Sequence, residues 1–331
     1  MLRYLSRRLG YYVVLLIIAT LLSYLLASTA LSPRGYFEGQ SISGGKRVSS
    51  SSVDKQLTAI GINDHTNVFD RFGTWGEHAV HGNLGKTIDD TSVNAEFGRR
   101  IGVSLRLLII GLVVGTVVGI LAGAWGAVRQ YRLSDRAVTI LSFLILSMPT
   151  FLIALLLKIG AIKLNQMLGV DLIKFTGEKT PNLAGGFGRQ LTDRLTHLLL
   201  PTLSIALGTI AGYSRYQRNI MLDVLGSDYL RTALAKGLSR RRALLRHGLR
   251  TALIPMSTFF AYGFLGLFTG ATFTEKIFGW HGMGEWFIDS INKNDVNSVV
   301  AVNVFAAVVV LFSGFLADAL HAALDPRIRQ A

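Results

Sequence analysis

The stretch from Asp228 to Pro255 holds the densest set of chemically capable side chains in this chain of 331 residues. It carries Arg231, Lys236, Arg240, Arg241, Arg242, Arg246 and Arg250. Guanidinium and ammonium groups at this density bind anions, either acidic protein side chains or lipid phosphates. They perform no covalent chemistry by themselves. A nucleophile would need a base within hydrogen-bond reach, and the apolar runs offer few titratable groups. Lys158 and His197 lie at the ends of such runs, and Asp318 and His321 near the last one. A pair of aspartates, a Ser–His pair or a metal-ligand set is not visible, so no catalytic, cofactor-binding or metal-binding residue is assigned. The absence of cysteine excludes disulfides, thiolate zinc sites and cysteine nucleophiles. The phosphate-cradling pattern Gly-x-x-x-x-Gly-Lys-Ser/Thr is also missing, so the chain is not expected to hydrolyse ATP alone.

The basic stretch has a local grammar. Helix formers run to Lys236 and stop at Gly237, a good C-terminal cap. Ser239 is then a natural N-cap for a second helix. Two short helices at an angle would make a rigid protrusion, with Leu234, Leu238, Ala243 and Leu244 as apolar knobs. Such a protrusion could pass motion from a soluble partner to the segments on either side. The same pattern fits an amphipathic helix lying on anionic lipid. Pattern alone leaves both readings open.

The elements that must hold this stretch are apolar spans. Half of the residues are hydrophobic and 16% are charged, against about 25% charged in a soluble domain. Six apolar segments can be read: Leu9–Leu31, Leu107–Val128, Ala137–Leu157, Leu198–Tyr213, Ala252–Phe273 and Val299–Ala317. The second has 22 residues without a charge, and as a helix it runs roughly 33 Å, enough to cross a hydrocarbon core. The fourth is short and needs residues from both flanks. The first follows Arg3, Arg7 and Arg8 and is longer than a signal-peptide core, which favours an uncleaved anchor.

The net charge of +14 is read as attraction to lipid headgroups rather than to nucleic acid, because the basic residues flank apolar spans. It also gives orientation. Short dense clusters (Arg3 to Arg8, Arg129 to Arg136, nine Lys or Arg between Arg215 and Arg250, Arg327 with Arg329) would all face the cytoplasm. Both termini are then cytoplasmic.

Three further features concern packing. The outer loop Ser32–Arg100 begins with a flexible Ser/Gly-rich part, Gly35–Ser52. Its Val53–Gly85 part, with Phe69, Phe72, Trp75 and Leu84, reads as a small folded cap, either a spacer or a docking surface. Gly111, Gly115, Gly119 and Gly123 fall on one helix face and admit a closely packed neighbour. Pro149, Pro201 and Pro255 kink or start helices. Inside the membrane the polar candidates are Ser142, Ser147, Asn303 and Ser313, with Met148 beside Pro149. Ser147, Met148, Pro149 and Asn303 are candidates for lining a pathway, although polar residues in spans are more often helix-packing contacts than substrate ligands.

The run Ala235-Lys236-Gly237-Leu238-Ser239, followed by Leu244-Leu245-Arg246-His247 and Ala252-Leu253-Ile254-Pro255, resembles the cytoplasmic coupling loop of ABC-importer permeases. Its wording is similar to the dipeptide/oligopeptide permease family, first-subunit type. Arg231-Thr232-Ala233 stands where the wider superfamily has Glu-Ala-Ala, as is usual in the peptide branch. Asn83-Leu84-Gly85-Lys86, Thr274 to Gly284 and the ending Leu324 to Arg329 agree with the same family. Arg106 departs from it, since an acidic residue is expected there; its charge would snorkel to the outer interface.

The resemblance implies an all-α polytopic membrane protein with six transmembrane helices. Its fold would be that of a type I ABC-importer permease with an extracellular insertion after the first helix. Residues 1–31 would form the N-terminal tip and first span, 32–100 the outer cap, and 101–331 the permease core with its coupling loop at 217–250. The function implied is half of the translocation pathway of an ATP-driven importer of di- or oligopeptides in a bacterial inner membrane. Implied partners are a homologous second permease subunit, two cytoplasmic ATPase domains that bind the ATP and magnesium, and an extracellular or periplasmic peptide-binding protein. The coupling contact would use Arg231, Thr232, Ala233, Lys236, Gly237, Leu238, Ser239, Arg240 and Arg241. The same architecture could import nickel, haem or another small ligand. A channel or an intramembrane enzyme is the rival of a different class.

Overall fold

A computed structural model describes residues 2–43 and 49–324. Every regular element among them is helical. The helices are α1 (Leu2–Ala30), α2 (Pro33–Ser43), α3 (Ser50–Ala59), α4 (Val68–Val80), α5 (Val93–Val128), α6 (Leu133–Ser147) and α7 (Thr150–Leu168). They continue with α8 (Phe187–Leu225), α9 (Asp228–Ala235), α10 (Arg240–Ala243), α11 (Leu249–Phe278), α12 (Met283–Asn292) and α13 (Val296–Leu324). A π-helical turn, Leu244–Gly248, joins α10 to α11.

Five runs are long and apolar enough to cross a bilayer: Arg8–Gly39, Val93–Val128, Thr150–Leu168, Phe187–Leu225 and Val296–Ala319. The 30-residue α11 is the sixth; it is uncharged from Thr251 through Thr274 and about 45 Å long. The short fourth span does draw on both flanks, since α8 has 39 residues. The third span is corrected. It is not one helix over Ala137–Leu157, because α6 stops at Ser147 and α7 restarts at Thr150. The residue before a proline is pushed out of the helical region, and Met148 is extended, with ψ 136°. Pro201 and Pro255 lie inside α8 and α11.

The chain divides into two compact units that interleave in sequence. One comprises Leu2–Ser104 with His281–Leu311. Its core gathers Tyr24 of α1, Val53 and Leu57 of α3, Trp75 of α4, and Val296, Val299 and Val300 of α13. The cap is therefore folded and built onto two spans. Trp75 donates its indole N–H to the Leu84 carbonyl at 3.2 Å. Asn297 donates to the carbonyls of Ile60 and Lys86, both at 2.9 Å. Arg34 clamps Asp54 and Asp64, each at 2.6 Å. Phe69, by contrast, is exposed. The flexible reading of Gly35–Ser52 is corrected: α2 runs to Ser43 and α3 begins at Ser50, while 44–48 lie outside the described residues.

The other unit comprises Leu105–Trp280 and the chain from Phe312. Its organising contact is α5 against α8. A Cβ at Gly111 would meet Ile205 at 2.9 Å, one at Gly115 would meet Thr209 at 2.6 Å, and one at Gly119 would meet Tyr213 at 2.7 Å. One at Gly123 would meet Gln217 at 2.8 Å and the Ser214 carbonyl. Four glycines spaced by one helical turn thus receive four residues spaced likewise, and the backbones approach as only glycine permits.

Candidate functional site

The site is the loop between α8 and α11. Helix α9 ends in a full Schellman cap. Gly237 has φ +85°, its N–H donates to the Leu234 carbonyl at 2.9 Å, and the Leu238 N–H donates to the Ala233 carbonyl at 3.3 Å. The glycine is required by conformation rather than by space, since nothing lies within 4 Å of a Cβ built there. Ser239 takes the N-cap position of α10 with ψ 144° but makes no side-chain cap bond. The second helix is only four residues long and runs through the π turn into α11.

The loop has its own core of Leu230, Ala233 and Ala243, with Leu225, Leu238 and Leu244 packed against it. Leu225 and Leu244 also pack on a second cluster, formed by Ala127 of α5, Met221 and Val224 of α8, and Ala252 of α11. Gly248 lies against α8, where a Cβ would meet Val224 at 3.3 Å. The knob is thus fastened to α8 and α11 through shared side chains. Close-packed interiors of this kind transmit displacement.

The predicted coupling residues divide. Arg231, Thr232, Lys236, Gly237, Ser239, Arg240 and Arg241 are exposed. Ala233 is buried and Leu238 half-buried, so they hold the knob together. Of the apolar knobs read from sequence, Leu234 is exposed, whereas Ala243 is fully buried and Leu244 partly so. The i,i+3 pair of Arg231 and Asp228 spans 3.7 Å between two exposed side chains and adds little.

Sequence reading missed the polar latch above the knob. Arg218 of α8 grips Asp135 of α6 with two hydrogen bonds, at 2.6 and 2.8 Å. The Tyr131 N–H adds a third at 2.9 Å. Asp135 is buried. Arg218 is only partly buried, so removing it would leave a buried carboxylate with water close by. The available signal was a lone acid among Arg129, Arg132 and Arg136, opposite an arginine at the end of an apolar span.

The pathway candidates are divided between the two compact units. Ser147 is exposed and its hydroxyl donates to the Leu144 carbonyl at 2.8 Å. Met148 and Pro149 form the α6–α7 break. Asn303 is half-buried in the other unit. Ser142 bonds Ser214 at 3.0 Å, a packing role. Arg106 is corrected: rather than only snorkelling, it pairs with Glu178 at 2.7 Å. Arg327 and Arg329 lie outside the described residues, as do all but Leu324 of the ending Leu324 to Arg329.

Helices of this length and order define a multi-pass membrane protein. Residues 115–330 match the family model described as "Binding-protein-dependent transport system inner membrane component". The chain belongs to that family, and it is a permease rather than an enzyme. It is 54% identical, over 99% of each chain, to the oligopeptide transport system permease protein OppB of Mycobacterium tuberculosis. It is 34% identical to the oligopeptide permease AppB of Bacillus subtilis, over 85% of this chain and 86% of that one. It is 33% identical to the di/tripeptide permease DppB of Pseudomonas aeruginosa, over 99% of each. The resemblance to the peptide branch read from the loop is borne out.

Proposed function

We propose that this chain is the first permease subunit of an ATP-driven peptide importer and forms half of its pathway with a homologous second subunit. The observation that carries this is the Schellman-capped knob fastened to α8 and α11. Two cytoplasmic ATPases bind ATP and magnesium, and one of them takes the knob in a surface groove through Lys236, Gly237, Ser239, Arg240 and Arg241. Closing of the ATPases pushes the knob, and α8 and α11 reorient. A binding protein outside delivers peptide. Both termini face the cytoplasm, and the chain itself binds no cofactor or metal.

The peptide cargo is supported by the relatives' names and by overall identity along the chain. Nickel and haem are the competing cargoes. The assembled transporter in vesicles should take up labelled di- or oligopeptide on addition of ATP. Uptake of nickel or haem without peptide uptake would replace the cargo assignment. Failure to capture any ATPase subunit would favour a channel and remove the whole reading.

A further inference from the structure

Two adjoining recesses lie beside the knob, both within the same compact unit. The larger, about 540 Å³, is lined by Leu121 and Trp125 of α5, Leu244 and Leu245 of the π turn, and Leu249 of α11, with Arg240 and Arg241 at its edge. It is apolar and open. Leu121, Trp125 and Leu245 are 58%, 51% and 58% exposed. The smaller, about 460 Å³, is formed by Ser239, Arg241, Arg242, Leu245 and Arg246. Arg241 and Leu245 belong to both, so an apolar cleft and an arginine recess lie on either side of one shared wall. Arg129 adds a further cation, its guanidinium 4.0 Å from the Trp125 ring centre.

The charge is one-sided. No carboxylate lines either recess, and Arg240, Arg241, Arg242 and Arg246 are exposed. The π turn makes the wall between them, and such turns are frequent at functional sites. An acidic protein loop would satisfy the arginines but leave the apolar cleft wet. A free phosphate would do the same. A zwitterionic lipid would fill the cleft yet bring no net charge to the arginines. The occupant that satisfies both is a two-chain anionic phospholipid.

We propose that a phosphatidylglycerol-type lipid binds here, with an acyl chain along Leu121, Trp125 and Leu249 and its phosphate between Arg242 and Arg246, two arginines outside the proposed ATPase contact. The lipid would sit under the coupling knob and stiffen its junction with α11. The inference rests on the cytoplasmic orientation proposed above, but not on the cargo.

The test uses the full chain in phosphatidylcholine vesicles doped with a photoactivatable phosphatidylglycerol. Labelling is mapped by mass spectrometry. The peptides holding Leu121 to Val128 and Leu244 to Leu249 should be labelled, and a photoactivatable phosphatidylcholine should label them less. Arg246→Gln should lower labelling roughly five-fold, the loss of one arginine's attraction near a lipid surface. Ala124→Trp, which fills the cleft, should abolish it, and Leu245→Trp provides a second filling variant should the first fail to insert. Labelling of lipid-facing Leu15 and Ile17 on α1 reports insertion and should stay constant. Equal labelling by the two lipids, or labelling indifferent to both filling variants, overturns the site. Inverted accessibility of Ser239→Cys would instead overturn the orientation.

Discussion

Gly237 is where one residue carries most consequence. Its φ of +85° suits glycine, tolerates asparagine and strains a β-branched side chain by about 1–2 kcal/mol. Gly237→Asn should therefore keep near-normal transport, while Gly237→Val should leave insertion and ATPase activity intact but cut uptake several-fold. Equal uptake by the valine variant and the parent would sink the coupling assignment. Asp64 gives a pH prediction. The hydrogen bonds from Arg34 hold its carboxyl below the usual carboxylate range, against a smaller opposing effect of burial. A depressed folded value means that the clamp's contribution is present above about pH 3.9 and is lost as the pH falls through the folded value. A variant with Trp75 as its only tryptophan should show constant fluorescence from neutrality to about pH 4 and a change below it. Asp64→Asn should remove that acid step. Gly237 was legible because a glycine between helix formers and a serine is a stop signal. The Arg34 clamp was not, since its acids lie 20 and 30 residues away.

At the scale of elements, the contact of α5 with α8 is the most sharply testable. A side chain at Gly119 meets Tyr213 at 2.7 Å and the Ile210 backbone at 3.1 Å. Helix α8 must then move away, at a cost of about 1–3 kcal/mol or more. Gly119→Val should lower the thermal midpoint in detergent by several degrees. Gly102→Val on the same helix has open space and should change it little. Similar midpoints for the two would refute the ladder as the organising contact. Helical periodicity put the four glycines on one face. It could not name α8 as their partner, because the matching row Ile205, Thr209, Tyr213 and Gln217 mixes apolar, hydroxyl and amide side chains and has no pattern of its own. The broken third span was half legible: proline marked the place, but hydropathy ran straight through it.

For the whole molecule the decisive statement is orientation. The chain has no cysteine, so a single introduced cysteine is a unique probe. Ser239→Cys should react with an impermeant reagent only from the cytoplasmic side, and Phe69→Cys only from outside. The reverse pattern would invert the topology and with it the coupling assignment. The cap is the second whole-molecule feature. Its core is completed by Val296, Val299 and Val300, more than two hundred residues along the chain, so α13 cannot move at that end without the cap.

Sequence by itself determined what depends on local composition. Apolar length gave the spans, arginine clusters gave the proposed sides, and the wording around Gly237 gave the family. Tertiary structure alone decided what depends on partners distant along the chain. It turned Ala233 inward and left Lys236 outward, matched the glycines of α5 to α8, locked Asp135 to Arg218, and set an apolar cleft next to an arginine recess beside the knob. The physical reason is the same in each case. A helix's own sequence fixes which residues share a face, but only packing fixes what that face meets. The proposed coupling loop was readable as a motif, whereas its packing onto α8 and α11 comes from side chains that belong to those helices.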